Sequence, residues 1–268
     1  MKKLSIREYQ WPRLTISFLL ATFPASVLMA HADTIKDARS IGPSSVASDL
    51  EKAETAREKA PWPTIPKLNE YDLKLAADYQ FLYQRLSSSP PGSEDDALGG
   101  VARLYGTWEP IESGRLVFKA EHRHHMDGYI APNALQAQAG IAGVSGPTFS
   151  SKNAVLTNLY WGQSFSDNKL SYIAGIIDVS DYFDVYGLAN VWIDFNNLAF
   201  STNPTAPVPA QGLGAAGRWA SPSNFYVLGS IADANGDPHT PEDAFESFFS
   251  TSEYFSHVEI GRVASWGR

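Results

Sequence analysis

The pattern of this chain predicts an all-β fold: an antiparallel transmembrane β-barrel, with about eight strands present, preceded by a short N-terminal helical segment. Three observations carry that prediction. From about Leu98 onward, apolar and polar residues alternate with a period of two. Two arms of more than ten residues flank the polar turn Ser166-Asp167-Asn168 between Asn153 and Asp178, where a tilted strand needs roughly 9 to 11 residues to cross a bilayer and soluble strands average about 5 to 6. Aromatic residues, 14 Phe, 12 Tyr and 7 Trp, make up 12% of the chain while its mean hydropathy is −0.21, a mix that suits strands alternating between lipid and an aqueous interior.

Read in order, Met1 to Ala32 has the form of an export signal. Lys2, Lys3, Arg7 and Arg13 precede an apolar run from Leu14 to Met29, and Ala30-His31-Ala32 offers small residues before Asp33. The run is broken by Pro24 and is shorter than the roughly 20 residues of a spanning helix. Residues 33–97 read as a periplasmic helical and linker segment. One helix is expected over 46–59 and a second over 68–86, where Leu68, Tyr71, Leu75, Tyr79, Leu82 and Leu86 recur at spacings of three and four. Pro61, Pro63 and Pro66 separate the two, and Ser87-Ser88-Ser89-Pro90-Pro91-Gly92 ends the second.

Residues 98–268 form the predicted barrel domain. Strands are expected at 101–109, 115–126, 134–144, 153–165, 169–180, 211–220, 224–234 and 253–265, the third being Ala-rich and interrupted by Gly. In the fourth, Val155, Thr157, Leu159, Trp161 and Phe165 share one face, and Asn158, Tyr160, Gly162 and Ser164 the other. If the first strand rises from the periplasm, the short turns at 166–168 and 221–223 fall on the periplasmic side and the long connections 181–210 and 235–252 outside, the asymmetry of outer-membrane barrels.

Composition narrows the function classes. The chain has no cysteine, so it has neither disulfides nor a thiolate metal site. With 29 acidic against 21 basic residues, the formal charge of −8 argues against a nucleic-acid partner. No G-x-S-x-G elbow, H-E-x-x-H or phosphate-cradling loop is present, and the expectation is a protein that is not an enzyme and carries no cofactor. An outer-membrane hydrolase would need a His within hydrogen-bonding reach of a Ser at the rim.

The run Leu156-Thr157-Asn158-Leu159-Tyr160-Trp161-Gly162-Gln163-Ser164-Phe165, followed by Asp178-Val179-Ser180-Asp181-Tyr182-Phe183-Asp184-Val185-Tyr186, resembles the carbohydrate-selective porins of Gram-negative outer membranes, the OprB-like family. Ala199 to Pro204, Gln211 to Ala216 and Ala232 to Asp237 are similar to its other recurring segments, so the likeness spans roughly Tyr105 to Trp266. The resemblance implies an outer-membrane barrel of about sixteen strands, admitting saccharides by diffusion through a channel narrowed by an inward loop, with outer-membrane lipid around it and homotrimers as an assembly. Eight strands would then be the front half of a longer porin. A complete eight-strand barrel is the alternative, but its interior is filled by its own side chains.

A saccharide path needs hydrogen-bonding groups and a few aromatic faces along water, not bond making. By analogy with the family the inward loop is 181–210, which supplies Asp181, Asp184, Trp192, Asp194, Asn196 and Asn197; Glu121, Arg123, Gln163 and Arg218 are the strand positions expected to join it. Trp161, Phe165, Trp219 and Phe225 read as a lipid-facing girdle. His122-Arg123-His124-His125 places His122 and His124 on one strand face and His125 on the other, two ligands where a metal site takes three or four, so no metal is expected and a lumen patch or strand end is the reading. Asp233-Ala234-Asn235-Gly236-Asp237 opens like a calcium loop, but Pro238 and Ala244 stand where Gly and Glu are required. The reading from another class is an exported all-β sugar-binding or adhesion module without a channel, its aromatics forming a core.

Overall fold

The structure is a computed structural model that describes residues 72–140, 145–165, 169–183, 196–197, 203, 205–222 and 225–262. The expected signal segment, the helix over 46–59 and the turn 166–168 lie outside them. Eight strands run in chain order: β1 Leu73–Arg85, β2 Asp96–Ile111, β3 Gly114–His125, β4 Asn153–Phe165, β5 Leu170–Ile177, β6 Gly212–Ala220, β7 Phe225–Asp233 and β8 Tyr254–Arg262. Each pairs antiparallel with its chain neighbours in one sheet ordered β1 to β8. Among the described residues, β1 and β8 pair on one side only.

Two expectations are corrected. The amphipathic helix over 68–86 is instead β1, in register with β2 from Leu73↔Trp108 to Arg85↔Asp96. Its residues also alternate: Leu73, Leu75, Ala77, Tyr79, Phe81 and Tyr83 lie on one face and Lys74, Asp78, Gln80 and Gln84 on the other. Leu82 on the polar face made the helical spacing complete, and pairing along the whole of β2 overrides it. The strand over 134–144 is instead helix α1, Pro132–Ala139. Pro132 occupies its first turn and Gly140 its end at φ 66°, the Pro-first, Gly-last arrangement that favours a helix.

Both corrections sharpen the asymmetry of the sheet. The connections 112–113, 166–169 and 221–224 all fall at one end, and 86–95, 126–152, 178–211 and 234–253 at the other. At the long end, Gly146 N–H donates to the Asn196 carbonyl at 2.9 Å, Leu156 N–H to Pro238 at 2.9 Å, and His239 Nε2 to the Lys152 carbonyl at 2.7 Å. These bonds knit three separate connections together.

The two sheet faces differ in chemistry. On the outer face Leu75, Phe81, Leu104, Leu159, Val227, Ile231, Val258 and Ile260 are exposed. Trp108, Phe165, Trp219 and Phe225 line its short-turn rim and Tyr83 and Tyr254 its other rim. From Leu73 to Tyr83, ten residue steps along β1, the outer face runs roughly 33 Å, which a strand tilted by ~40° projects to about 25 Å. The inner face holds the core cluster of Ala76, Tyr105, Val117, Tyr160, Ile173, Ile177, Val179, Ala216, Leu228 and Ala232.

A β-bulge alters one predicted face. The register slips between Lys119↔Asn158 and Ala120↔Leu156, so Thr157 is the extra residue. Val155 therefore turns to the inner face, 5% exposed, and does not join Leu159, Trp161 and Phe165 outside. Gly175 on β5 lies opposite Tyr160 at φ 141°, a conformation open to glycine; a Cβ there would stand 2.4 Å from the Leu159 carbonyl oxygen.

Candidate functional site

Alternation along β1 to β4 projects ionisable side chains onto the inner face in rows. Asp78 on β1 pairs in register with Arg103 on β2. Its carboxylate accepts from Arg103 Nε at 2.7 Å and Nη2 at 2.5 Å, and from the Tyr105 hydroxyl at 3.0 Å. A two-point contact of this kind fixes the guanidinium plane. On β3, Arg123 Nε and Nη2 both donate to Glu121 Oε2 at 2.6 Å, and Lys119 Nζ lies 3.8 Å from Oε1. Arg123 Nη1 also donates to the Pro147 carbonyl at 3.3 Å, tying the connection 126–152 to the wall. Arg218 on β6 sits with its guanidinium 5.0 Å from the Tyr226 ring centroid, and the Tyr226 hydroxyl donates to Glu259 on β8.

The connection after β5 turns across this wall. Asp178 caps the short helical turn Val179–Asp181 by accepting from Ser180 N–H at 3.0 Å, and its other oxygen accepts from Gln211 Nε2. Val179 is fully buried in the core cluster. Asp181 then accepts from Asn158 Nδ2 on β4 at 3.0 Å. Phe183 reaches the opposite edge, 5.9 Å from Phe255 and 4.2 Å from His257 between ring centroids. Burial pushes the Tyr182 hydroxyl above the ordinary tyrosine value, keeping it a neutral phenol. Asn158 Oδ1 and Tyr160 Oη, on the same face, have no hydrogen-bond partner among the described residues.

Placement of the predicted residues follows. Glu121, Arg123 and Arg218 lie on the inner face, and Asp181 is bonded to it. Gln163 shares the outer face with Leu159, Trp161 and Phe165 and donates to the Glu112 carbonyl at 3.3 Å. Asn196 and Asn197 belong to the connection after β5, where the Asn196 carbonyl accepts from Gly146. Asp184, Trp192 and Asp194 lie outside the described residues. Asp78 and Arg103 are functional residues that sequence reasoning misses, because the helical spacing over 68–86 masks β1; the alternation Lys74, Asp78, Gln80, Gln84 is the signal that could find them. Trp161, Phe165, Trp219 and Phe225 all stand on the outer face, and His122 and His124 stand there too, not in a lumen patch.

Two Ser–His contacts exist among the described residues: Ser230 Oγ with His257 Nδ1 at 2.7 Å, and Ser151 Oγ with His125 Nδ1 at 2.8 Å. The second nitrogen of His257 is buried without a hydrogen-bond partner among the described residues, so the pair lacks the carboxylate that orients a catalytic imidazole. No group of three His, Asp or Glu among the described residues is arranged to hold a metal ion. No described helix is long and apolar enough to cross a membrane, which says nothing of strands.

No family model and no curated protein matches the chain. Among solved structures it is similar to the high-pH structure of Pseudomonas putida OprB, with a TM-score of 0.50 and 12% sequence identity over 67% of this chain and 45% of that one. The likeness is one of fold: the antiparallel sheet of eight strands matches part of a porin-like barrel. The chain spans about 45% of the length of that structure.

Proposed function

We propose that this chain forms the wall of an outer-membrane channel for passive diffusion of carbohydrates and small solutes. The single observation that carries the reading is the opposition of the two sheet faces. One exposes leucine, valine, isoleucine and phenylalanine between rims of tryptophan and tyrosine, as lipid contact requires; the other buries Arg103, Lys119, Glu121, Arg123 and Arg218. A soluble adhesion or sugar-binding module would leave that apolar face in water.

The segment 178–183, held across the inner face by Asp181 and Phe183, narrows the path. Beside the ion pairs, Asn158 Oδ1 and Tyr160 Oη are buried without a hydrogen-bond partner among the described residues, and a saccharide path asks of its polar lining only weak, exchangeable hydrogen bonds. Small saccharides and outer-membrane lipid are the proposed partners, with homotrimers as the assembly and no nucleic acid. The proposed cargo path includes Asp184, Trp192, Asp194, Asn196 and Asn197 of the inward loop. An open strand edge is untenable in hydrocarbon, so in the membrane β1 and β8 must pair with each other or with other strands for the ring to close.

Liposome swelling tests the proposal. Vesicles containing the refolded chain should swell in isotonic monosaccharide faster than in trisaccharide, and faster than empty vesicles. Swelling at the rate of empty vesicles, with the protein folded and inserted, would sink it.

A further inference from the structure

The outer face toward the long-connection end holds a polar constellation that a sugar channel does not use. His122 and His124 project outward from β3, two positions apart, with their Nδ1 atoms 3.3 Å from each other. Two nitrogens each bound at about 2.0 to 2.1 Å to one tetrahedral ion stand roughly 3.3 to 3.4 Å apart. The second nitrogen of His124 is engaged, since its Nε2 lies 3.0 Å from the Tyr79 hydroxyl on β1. With Nε2–H donating to that oxygen, Nδ1 carries the free lone pair, the way a metal-ligating imidazole is set by a partner on its other side.

The space for this arrangement is built by a glycine. Gly100 on β2 pairs with His124 in register, and a Cβ at Gly100 would fall 2.1 Å from the Tyr79 hydroxyl and 3.0 Å from His124 Nε2. Any larger residue would displace the phenol from the imidazole. The outer-face neighbours of His122 in register are Ala102 and Ala154, small enough to leave room above the ring. His122 itself is exposed and His124 half-buried, so a cation reaches both from solvent. His124 is next to the last residue of β3, so the pair stands toward the long-connection end of the outer face.

We propose that His122 and His124 form a two-imidazole binding site for a borderline divalent cation of the zinc type, oriented by Tyr79 and completed by water. His125 takes no part, because it points to the other face and bonds Ser151 at 2.8 Å. Binding weakens in acid, since only neutral imidazole ligates. The site does not depend on conduction.

Titration of the folded, detergent-refolded full chain with Zn(II) alone, by calorimetry, reads the affinity, and Co(II) in its place reads the geometry from its visible spectrum. One equivalent should bind, with an intense tetrahedral Co(II) band. His122→Ala and His124→Ala should each lower affinity about 100-fold, and Tyr79→Phe about 10-fold, the range for an outer partner of a ligand. His125→Ala should change nothing. Absence of binding would mean that the two rings only hydrogen-bond each other. An equal loss from His125→Ala, with none from Tyr79→Phe, would mean capture by unfolded chain, and either result overturns the site.

Discussion

Replacing Leu159 with lysine puts a charge where lipid is expected. Leu159 is the middle residue of β4, 41% exposed on the outer face, with Phe118 and Ile176 as its cross-strand neighbours. At a bilayer midplane a lysine on the lipid face of a barrel costs about 2 to 4 kcal/mol, which lowers the folded-to-unfolded ratio roughly 30- to 900-fold at 1.36 kcal/mol per decade. Val227, third in β7 and close to the short-turn rim, should tolerate the same change at about 0 to 1 kcal/mol, as near an interface. Urea titration of the chain in lipid vesicles, followed by fluorescence of Trp108, Trp161 and Trp219, measures both. If Leu159 faced water, lysine would shift stability by no more than about 0.5 kcal/mol. A change that small at Leu159, or equal costs at both positions, would refute the assignment of this face to lipid.

Glu121→Ala leaves Arg123 and Lys119 facing each other without their shared carboxylate; it should destabilise by roughly 3 kcal/mol, and adding Arg123→Met should recover most of that in the same titration. A single-variant cost below about 1 kcal/mol would mean that the pair is solvated. Gly175→Ala drives a Cβ into the Leu159 carbonyl at a positive φ and should cost about 2 to 3 kcal/mol, whereas Gly162→Ala, whose nearest neighbour would be 3.5 Å away, should cost under about 1; equal costs would contradict the strain. In the connection after β7, Asp237 accepts from His239 N–H at 3.0 Å and lies 2.7 Å from His239 Nδ1, and these hold its carboxyl below the ordinary range. The turn therefore gains stability that is present above the unfolded carboxyl value of about 3.9 and is lost as pH falls through the lower folded value. An NMR titration of Asp237 with a midpoint at or above about 3.9 would contradict this.

The parts of the fold legible in the sequence were those where one strand declares itself. The β4–β5 hairpin and strands β6 to β8 alternate cleanly, and their lengths agree with the structure within a few residues. β1 was illegible because its helical and strand periods coincide at Leu75 and Tyr79, while Leu82 completes only the helical one; only pairing with β2 decides between them. Thr157 as a bulge could not be read from β4, since it is a mismatch against Lys119 and Ala120 of another strand. The inner-face network was half legible for the same reason. Glu121 and Arg123 are two residues apart on one strand, but Asp78 reaches Arg103 across 25 positions; on the outer face, the partner of His124 lies 45 positions away.

Single-channel recording on the refolded chain in a planar lipid bilayer is the decisive observation. Stable conductance steps, reduced on adding mono- or disaccharide and enlarged by Asp181→Ala as the loop loses its bond to Asn158, are the expected result. A folded, inserted protein that gives no steps at any protein concentration would contradict the channel.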